Sequence, residues 1–206
     1  MCLQSELILK YNHLKSAIKQ KLIDFENVDV DKYFYELCFC ICTPQSKAQS
    51  ALLVQNELEL LRFRENDFDP ADILRRNENY IRFHNQKAAR LIEMKSTFNN
   101  IEKVILSELS PREKREYLVN NVKGIGMKES SHFLRNIGFR NLAILDRHIL
   151  RNLVRYGVFD KIPNISTYKL YEDAEVKFMK FASDIEIPID ELDLLFWSQQ
   201  TGIILK

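Results

Sequence analysis

Residues 122–150 read VKGIGMKESSHFLRNIGFRNLAILDRHIL. Two glycines, Gly124 and Gly126, flank Ile125, and the run that follows carries Lys128 on a helix-compatible pattern. A second break falls at Gly138, and a lone carboxylate, Asp146, heads another basic run with apolar residues at Ile149, Leu150, Leu153 and Val154. Upstream, Ser110-Pro111-Arg112-Glu113 has the spacing of a capping box with proline at the first helical position, so a helix begins there and runs to about Asn121. The stretch therefore predicts two helices joined by a glycine hairpin, then a third helix with Asp146 as its N-cap.

Outward from this segment the composition favours an all-α fold. The chain has 206 residues with five glycines and five prolines, too few turn formers for a β-rich architecture of that length. An apolar fraction of 46% supplies a core, and no apolar run approaches the ~20 residues of a membrane span. The N-terminus, MCLQSELILKYNHLK, lacks a basic-then-apolar secretory layout, so a cytoplasmic, nucleoid-associated location is expected. Three of the four cysteines alternate as Cys38, Cys40 and Cys42 in ELCFCICT, a spacing that common zinc and iron–sulfur sites do not use. They read as small apolar side chains on a buried helix, and no metal, disulfide or cofactor is assigned.

Net charge is +1, which by itself points to no partner. Between Lys123 and Arg155, however, seven basic residues stand against the two acidic residues Glu129 and Asp146. That imbalance is the pattern of a phosphate-facing patch, with a solvated helix face as the alternative.

Along the chain, residues 4–26 place Leu7, Ile8, Tyr11, Leu14, Ile18 and Leu22 at three- and four-residue steps, an amphipathic helix. Residues 32–42 are apolar nearly all round and predict a buried central helix. Thr43 and Pro44 read as N-cap and first-turn residue of the next helix, and Asp69-Pro70 as the start of a short one around Ile73 and Leu74. Further helices are expected at 80–97, 100–108, 167–184 and 188–201. No repeat, linker or low-complexity tail interrupts the chain, so one compact helical unit over residues 1–206 is expected.

The hairpin residues point to a chemistry. Glycines let a ligand approach the main chain, and the amides at the head of the following helix attract an anion such as phosphate. Lys128 falls in that first helical turn, where the dipole disfavours an ammonium. A lysine there is a poor choice for helix stability and a good one for a nucleophile, although a lysine that pairs only with DNA phosphate fits the same position. Asp146 at an N-cap can stabilise positive charge developing on a sugar, or serve as a cap alone.

With these residues assembled, the chain resembles the helix-hairpin-helix DNA glycosylases, and within them the archaeal-type, second-type 8-oxoguanine DNA glycosylase/AP lyases. The resemblance rests on VKGIGMKESSHFLRNIG and AILDRHILR, with ELCFCICTPQSKA upstream, RFHNQKA in the middle and ELDLLFW and TGIILK at the end; Lys128 precedes Asp146 by 18 residues. It implies a two-lobed helical fold with the active site in the cleft between lobes, and a helix-hairpin-helix motif over about 111–137. It further implies a monomer acting on double-stranded DNA containing 8-oxoguanine, with no membrane partner. Lys128 would attack C1′ of the flipped nucleotide, expel the base and form a Schiff base, Asp146 would stabilise the charge, and β-elimination would nick the strand.

By position the resemblance makes Gln45 the residue that fills the vacated stack, with Gly124, Gly126, Arg147 and His148 on the DNA backbone. Phe83 and Trp197 would sandwich the extruded base, and the carboxylate of a terminal Lys206 would accept a hydrogen bond from it. Ordinary structural roles remain open for each: a helix-start polar residue, core aromatics, a frayed tail. The iron–sulfur cysteine loop of endonuclease III has no counterpart here. The competing readings are a non-catalytic helix-hairpin-helix DNA-binding module, which has no use for Lys128 with Asp146, and a glycosylase for a different damaged base.

Overall fold

A computed structural model describes residues 3–201, and every regular element among them is helical. The helices are α1 (Leu3–Glu26), α2 (Tyr33–Cys42), α3 (Ala48–Leu60), α4 (Ala71–Leu74), α5 (His84–Ile105), α6 (Pro111–Asn121), α7 (Met127–Asn136), α8 (Arg147–Arg155), α9 (Tyr168–Asp184) and α10 (Ile189–Thr201). Single 3-10 turns stand at Val30–Lys32 and Asn77–Asn79. No described helix is long and apolar enough to cross a membrane. The chain divides into two compact units, Val28–Phe133 and the pair of segments Met1–Asn27 with Leu134–Lys206, the division falling inside α7.

In the Val28–Phe133 unit, α2 is the central element: every residue from Phe34 to Cys42 is buried. Helices α3 and α5 pack on it, α4 lies on α3 and α5, and α6 lies on α5. Phe34 meets Tyr35, Phe63 and Phe98 at ring separations of 5.1, 5.9 and 5.0 Å. The one carboxylate on this helix, Glu36, is buried and accepts a 2.8 Å hydrogen bond from Gln55 Nε2, which meets its need for a partner away from water. Burial raises the Cys38 thiol well above its usual range and Cys42 to about 12, so both stay protonated and inert.

In the other unit α10 is the hub, packed on α1, α8 and α9. Leu7, Tyr11, Ile18, Leu22 and Phe25 form the buried stripe of α1, whereas Ile8 is exposed. Tyr11 donates a 2.6 Å hydrogen bond to Glu191, and Tyr156 stacks on Phe196 at 5.6 Å. Gly138, just past α7, has φ +92° and packs on α1 so tightly that an added Cβ would lie 2.9 Å from the Glu26 α-carbon.

Helix boundaries depart from the sequence reading at two places. Thr43 does not cap α3; its hydroxyl donates back to the Cys40 carbonyl at 3.0 Å and so finishes α2, while α3 starts from Lys47 with no side-chain cap. The expected break between 97 and 100 does not occur, and α5 is one helix of 22 residues. Ser96 and Thr97 turn their hydroxyls onto the Glu93 carbonyl at 2.7 and 3.3 Å, so neither caps a new helix. The capping box at Ser110 is complete: Ser110 Oγ accepts from the Glu113 amide at 3.3 Å and Glu113 accepts from the Ser110 amide at 2.8 Å.

Gly138→Ala is expected to cost roughly 2 kcal/mol, because a left-handed backbone and a clash with main chain combine there. A urea melt would report it, and an unmoved midpoint would show that α1 and the turn relax at no cost.

Candidate functional site

The hairpin residues fold as a tight link between α6 and α7. Val122 leaves α6 in an extended conformation, Gly124 takes φ +93°, Ile125 is buried, and Gly126 precedes the first residue of α7. Lys128 is in the first turn of α7, its side chain 26% exposed. The sequence reading left the amides at this helix start free for an anion, and one of them is taken. Glu129 accepts a 3.1 Å hydrogen bond from the Gly126 amide through Oε2 and pairs with Lys128 Nζ at 2.9 Å through Oε1. A glutamate three residues into a helix reaching back to the N-cap amide is half of a capping box, so spacing alone could have flagged it. Its negative charge also offsets the cost of placing an ammonium at a helix N-terminus.

Within the basic surplus between Lys123 and Arg155, several charges are paired by carboxylates of their own unit. Arg135 is buried, pairs with Asp193 at 2.8 Å and lies over the Phe25 ring; Arg140 pairs with Glu26 and Lys123 with Glu93, each at 2.7 Å. Arg147, Arg151 and Arg155 are exposed on α8. Counting charges along a chain ignores which face each residue takes and which carboxylates fold back onto it.

Gln45 and Phe83 are held by a feature that no motif announced. Lys87 on α5 is 2% exposed, and its Nζ donates to the carbonyls of Cys42 at 2.7 Å and Pro44 at 2.6 Å and to Ser46 Oγ at 3.2 Å. Ser46 Oγ also accepts from the Arg82 amide at 3.0 Å. The turn after α2 is thereby tied to the start of α5. At its tip Gln45 is exposed with φ +57°, and Phe83, 50% exposed, precedes α5 with φ +60°, the Arg82 guanidinium over its ring. Non-glycine residues in the left-handed region persist only where the surroundings enforce them, and the Lys87 cluster does that for Gln45. Burial, with Arg90 and Lys128 nearby, lowers the Lys87 amine to about 8. His132, one turn beyond Lys128, is buried with its ring edge-on to Phe39 at 5.5 Å.

In the unit that carries α8, Asp146 is a full N-cap: Oδ1 accepts from the His148 and Ile149 amides, both at 2.8 Å. Its second oxygen takes no hydrogen bond among the described residues. The segment leading to it, Leu142–Leu145, is buried and pinned by polar groups from α9 and α10. Glu175 accepts from the Ala143 amide at 2.8 Å, Tyr171 accepts from the Leu145 amide at 3.1 Å and donates to the Ala143 carbonyl at 2.8 Å, and Asp190 accepts from the Asn141 amide at 3.1 Å. These partners lie 26 to 49 positions downstream, beyond any local signal.

His148 stands 5.7 Å ring to ring from the half-buried Trp197, and Arg147 Nε reaches His148 Nε2 at 3.4 Å. The His148 Nδ1 is buried without a partner among the described residues. Asp193 lies near Asp146; burial, with Asp146 and Asp190 adding to it, raises its carboxyl in spite of the Arg135 guanidinium. Lys206 lies outside the described residues. No group of three or more His, Cys, Asp or Glu among the described residues could hold a metal ion.

Comparison with known proteins bears on what these residues serve. The family model for 8-oxoguanine DNA glycosylase (Ogg-HhH) matches residues 18–187. The 8-oxoguanine DNA glycosylase/AP lyase of Fusobacterium nucleatum is 40% identical over 206 residues, covering 95% of this chain and 94% of the relative. That of Methanocaldococcus jannaschii is 34% identical over 214 residues, covering 97% and 99%. The crystal structure of the Methanocaldococcus jannaschii 8-oxoguanine glycosylase/lyase in complex with 15mer DNA containing 8-oxoguanine superposes with a TM-score of 0.89 at 31% identity, covering 100% of both chains.

Lys87→Met is expected to destabilise the protein by roughly 1–3 kcal/mol, because the Cys42 and Pro44 carbonyls lose a buried donor. The folded pKa of Lys87 lies below its unfolded value, so folding releases a proton in the window between them. Relative to Lys87→Met, the wild type therefore gains stability as pH rises from about 8 towards ~10.4 and loses it as pH falls back through 8. Urea melts at three pH values across that window check the sign.

Proposed function

The chain belongs to the 8-oxoguanine DNA glycosylase family, and from that premise we propose that it excises 8-oxoguanine from double-stranded DNA and then cleaves the strand as an AP lyase. The observation that carries the reading is the half-buried Lys128 side chain, its amine paired with Glu129, in the first turn of α7 directly after the glycine hairpin. A purely DNA-gripping hairpin has no need of an amine withdrawn from solvent against a carboxylate.

In this reading Lys128 Nζ, released from Glu129 and deprotonated, forms a bond to C1′ of the flipped nucleotide. The N-glycosidic bond breaks, and its electron pair leaves with the base, which takes up a proton. The resulting amine adduct opens to a Schiff base; loss of a C2′ proton then expels the 3′ phosphate and nicks the strand. Asp146 serves the step in which positive charge builds on the sugar. One carboxylate oxygen is committed to the α8 amides and holds the group in place, which leaves the other for the developing charge.

Gln45, exposed at the tip of a turn held by Lys87, fills the gap that the extruded nucleotide leaves in the stack, at an unstacking cost of a few kcal/mol. Phe83 offers a half-exposed ring to that base, and Trp197, set against His148, offers another. Gly124 and Gly126, with Arg147 and His148, serve the phosphate backbone.

Borohydride reduction during turnover of 8-oxoguanine duplex is expected to trap a covalent protein–DNA band that Lys128→Gln abolishes; a variant that still cross-links removes Lys128 as the nucleophile. Asp146→Asn keeps a good N-cap, so it is expected to slow base release by about a hundredfold with affinity for the duplex retained. Equal loss of binding and rate in that variant would make Asp146 a structural cap only. A panel of duplexes differing in one damaged base tests the substrate: fastest release of a base other than 8-oxoguanine overturns the assignment.

A further inference from the structure

Gly124 has a second reason to lack a side chain, and it lies on α5. A Cβ built there would fall 2.4 Å from Arg90 Cδ, 2.8 Å from Nε and 2.9 Å from Nη1. The outer half of the Arg90 side chain thus lies flat across the hairpin, in the space that any other residue at 124 would fill. The contact is with the aliphatic stem and two guanidinium nitrogens together, so it is a packed position and not a chance approach of one atom.

Arg90 is half-buried, and among the described residues it forms no ion pair and no hydrogen bond. Its surroundings make that unusual. Lys87, one turn earlier on α5, is buried, and the charges of Arg90 and Lys128 near it add to the burial that lowers its amine. The nearby carboxylates are already engaged: Glu93 with Lys123 and Glu129 with Lys128 and the Gly126 amide. A partly desolvated guanidinium among other cations, without an anion, raises the energy of the free protein, and an incoming anion relieves it. Arginine is also the side chain whose planar fork suits two phosphate oxygens at once.

We propose that Arg90 is a phosphate-binding residue of the hairpin, lodged in the space that Gly124 leaves empty and contacting the DNA backbone there. The hairpin then draws its affinity for an anion from a side chain on a neighbouring helix as well as from its own main chain, one of whose amides Glu129 occupies. This rests on the reading that the chain binds duplex DNA, and it adds a contact that the hairpin glycines do not supply.

The test is equilibrium binding of short duplexes with and without 8-oxoguanine over a range of salt concentrations, for wild type, Arg90→Met and Arg90→Lys, each first checked for folding by thermal melt. Losing one phosphate contact should lower the slope of log affinity against log salt by roughly 0.9 and weaken binding several-fold, to about tenfold, at low salt, equally on both duplexes. Arg90→Lys, which keeps a cation of similar reach, should recover most of the slope. Arg90→Met with an unchanged salt slope overturns the proposal, whatever happens to affinity, because a packing residue releases no counterion. A loss confined to the damaged duplex overturns it too, placing Arg90 with the base instead. A wild type without salt-dependent binding to either duplex would remove the DNA-binding reading itself, and this proposal with it. An Arg90→Met that melts early is replaced by Arg90→Gln, which removes the charge but keeps a polar side chain: a lowered slope with native melting supports the phosphate contact, and an unchanged slope overturns it.

Discussion

One carboxylate governs the start of α7. Glu129 spans the Gly126 amide and the Lys128 ammonium, and each contact answers a separate physical demand. The amide at a helix start needs an acceptor, and an ammonium set against the positive end of a helix needs a counter-charge. Meeting both with one side chain fixes the hairpin to the helix and holds Lys128 in one place. It also means that the resting protein carries its own anion where a phosphate would otherwise settle. Anything that uses the Lys128 amine as a nucleophile must first separate it from Glu129.

The same unit contains a second polar knot with a different cause. Lys87 is buried, so its ammonium must be met by acceptors, and it finds them in the Cys42 carbonyl that ends α2 and the Pro44 carbonyl of the turn that follows. Helix ends always leave carbonyls without intrahelical partners, and here a lysine from another helix takes them in place of water or a glycine cap. Because the neighbouring Ser46 also receives the Arg82 amide, the turn that exposes Gln45 and the one that exposes Phe83 are fixed by the same few hydrogen bonds. Two exposed side chains in left-handed backbone positions are thereby presented on a rigid base. Strain sits at the tips of the turns and is held by hydrogen bonds beneath.

Asp146 is supported by the opposite route, through the chain that precedes it. The Leu142–Leu145 segment has no helix of its own to satisfy its backbone, so Tyr171, Glu175 and Asp190 supply the missing donors and acceptors. Close by, buried Arg135 pairs with Asp193, which is on the same helix that bears Trp197. The chain leading to Asp146 is thus held by side chains of other helices, and its carboxylate by the amides of α8.

Local chemistry determined much of this protein on its own. A helix opening at Pro111 behind a capping box, a glycine turn at Gly124, an N-cap at Asp146 and an α2 apolar nearly all round follow from residues within a few positions of one another, because caps, turns and periodicity are short-range effects. Where a short-range rule met a competing short-range partner it misled: Thr43 turned back onto Cys40, and Ser96 and Thr97 onto Glu93, since a hydroxyl caps whichever helix end it reaches first. Two members of the basic run were spent on structure for a long-range reason, Arg135 on Asp193 and Arg140 on Glu26, each carried by a distant helix. Lys87 under the Gln45 turn, Arg90 across Gly124 and the three groups that pin the approach to Asp146 were decided only by tertiary structure. Each joins atoms far apart in sequence, and the free energy that selects such a pair, the need of a buried polar group for a partner, does not exist until the chain has folded around it.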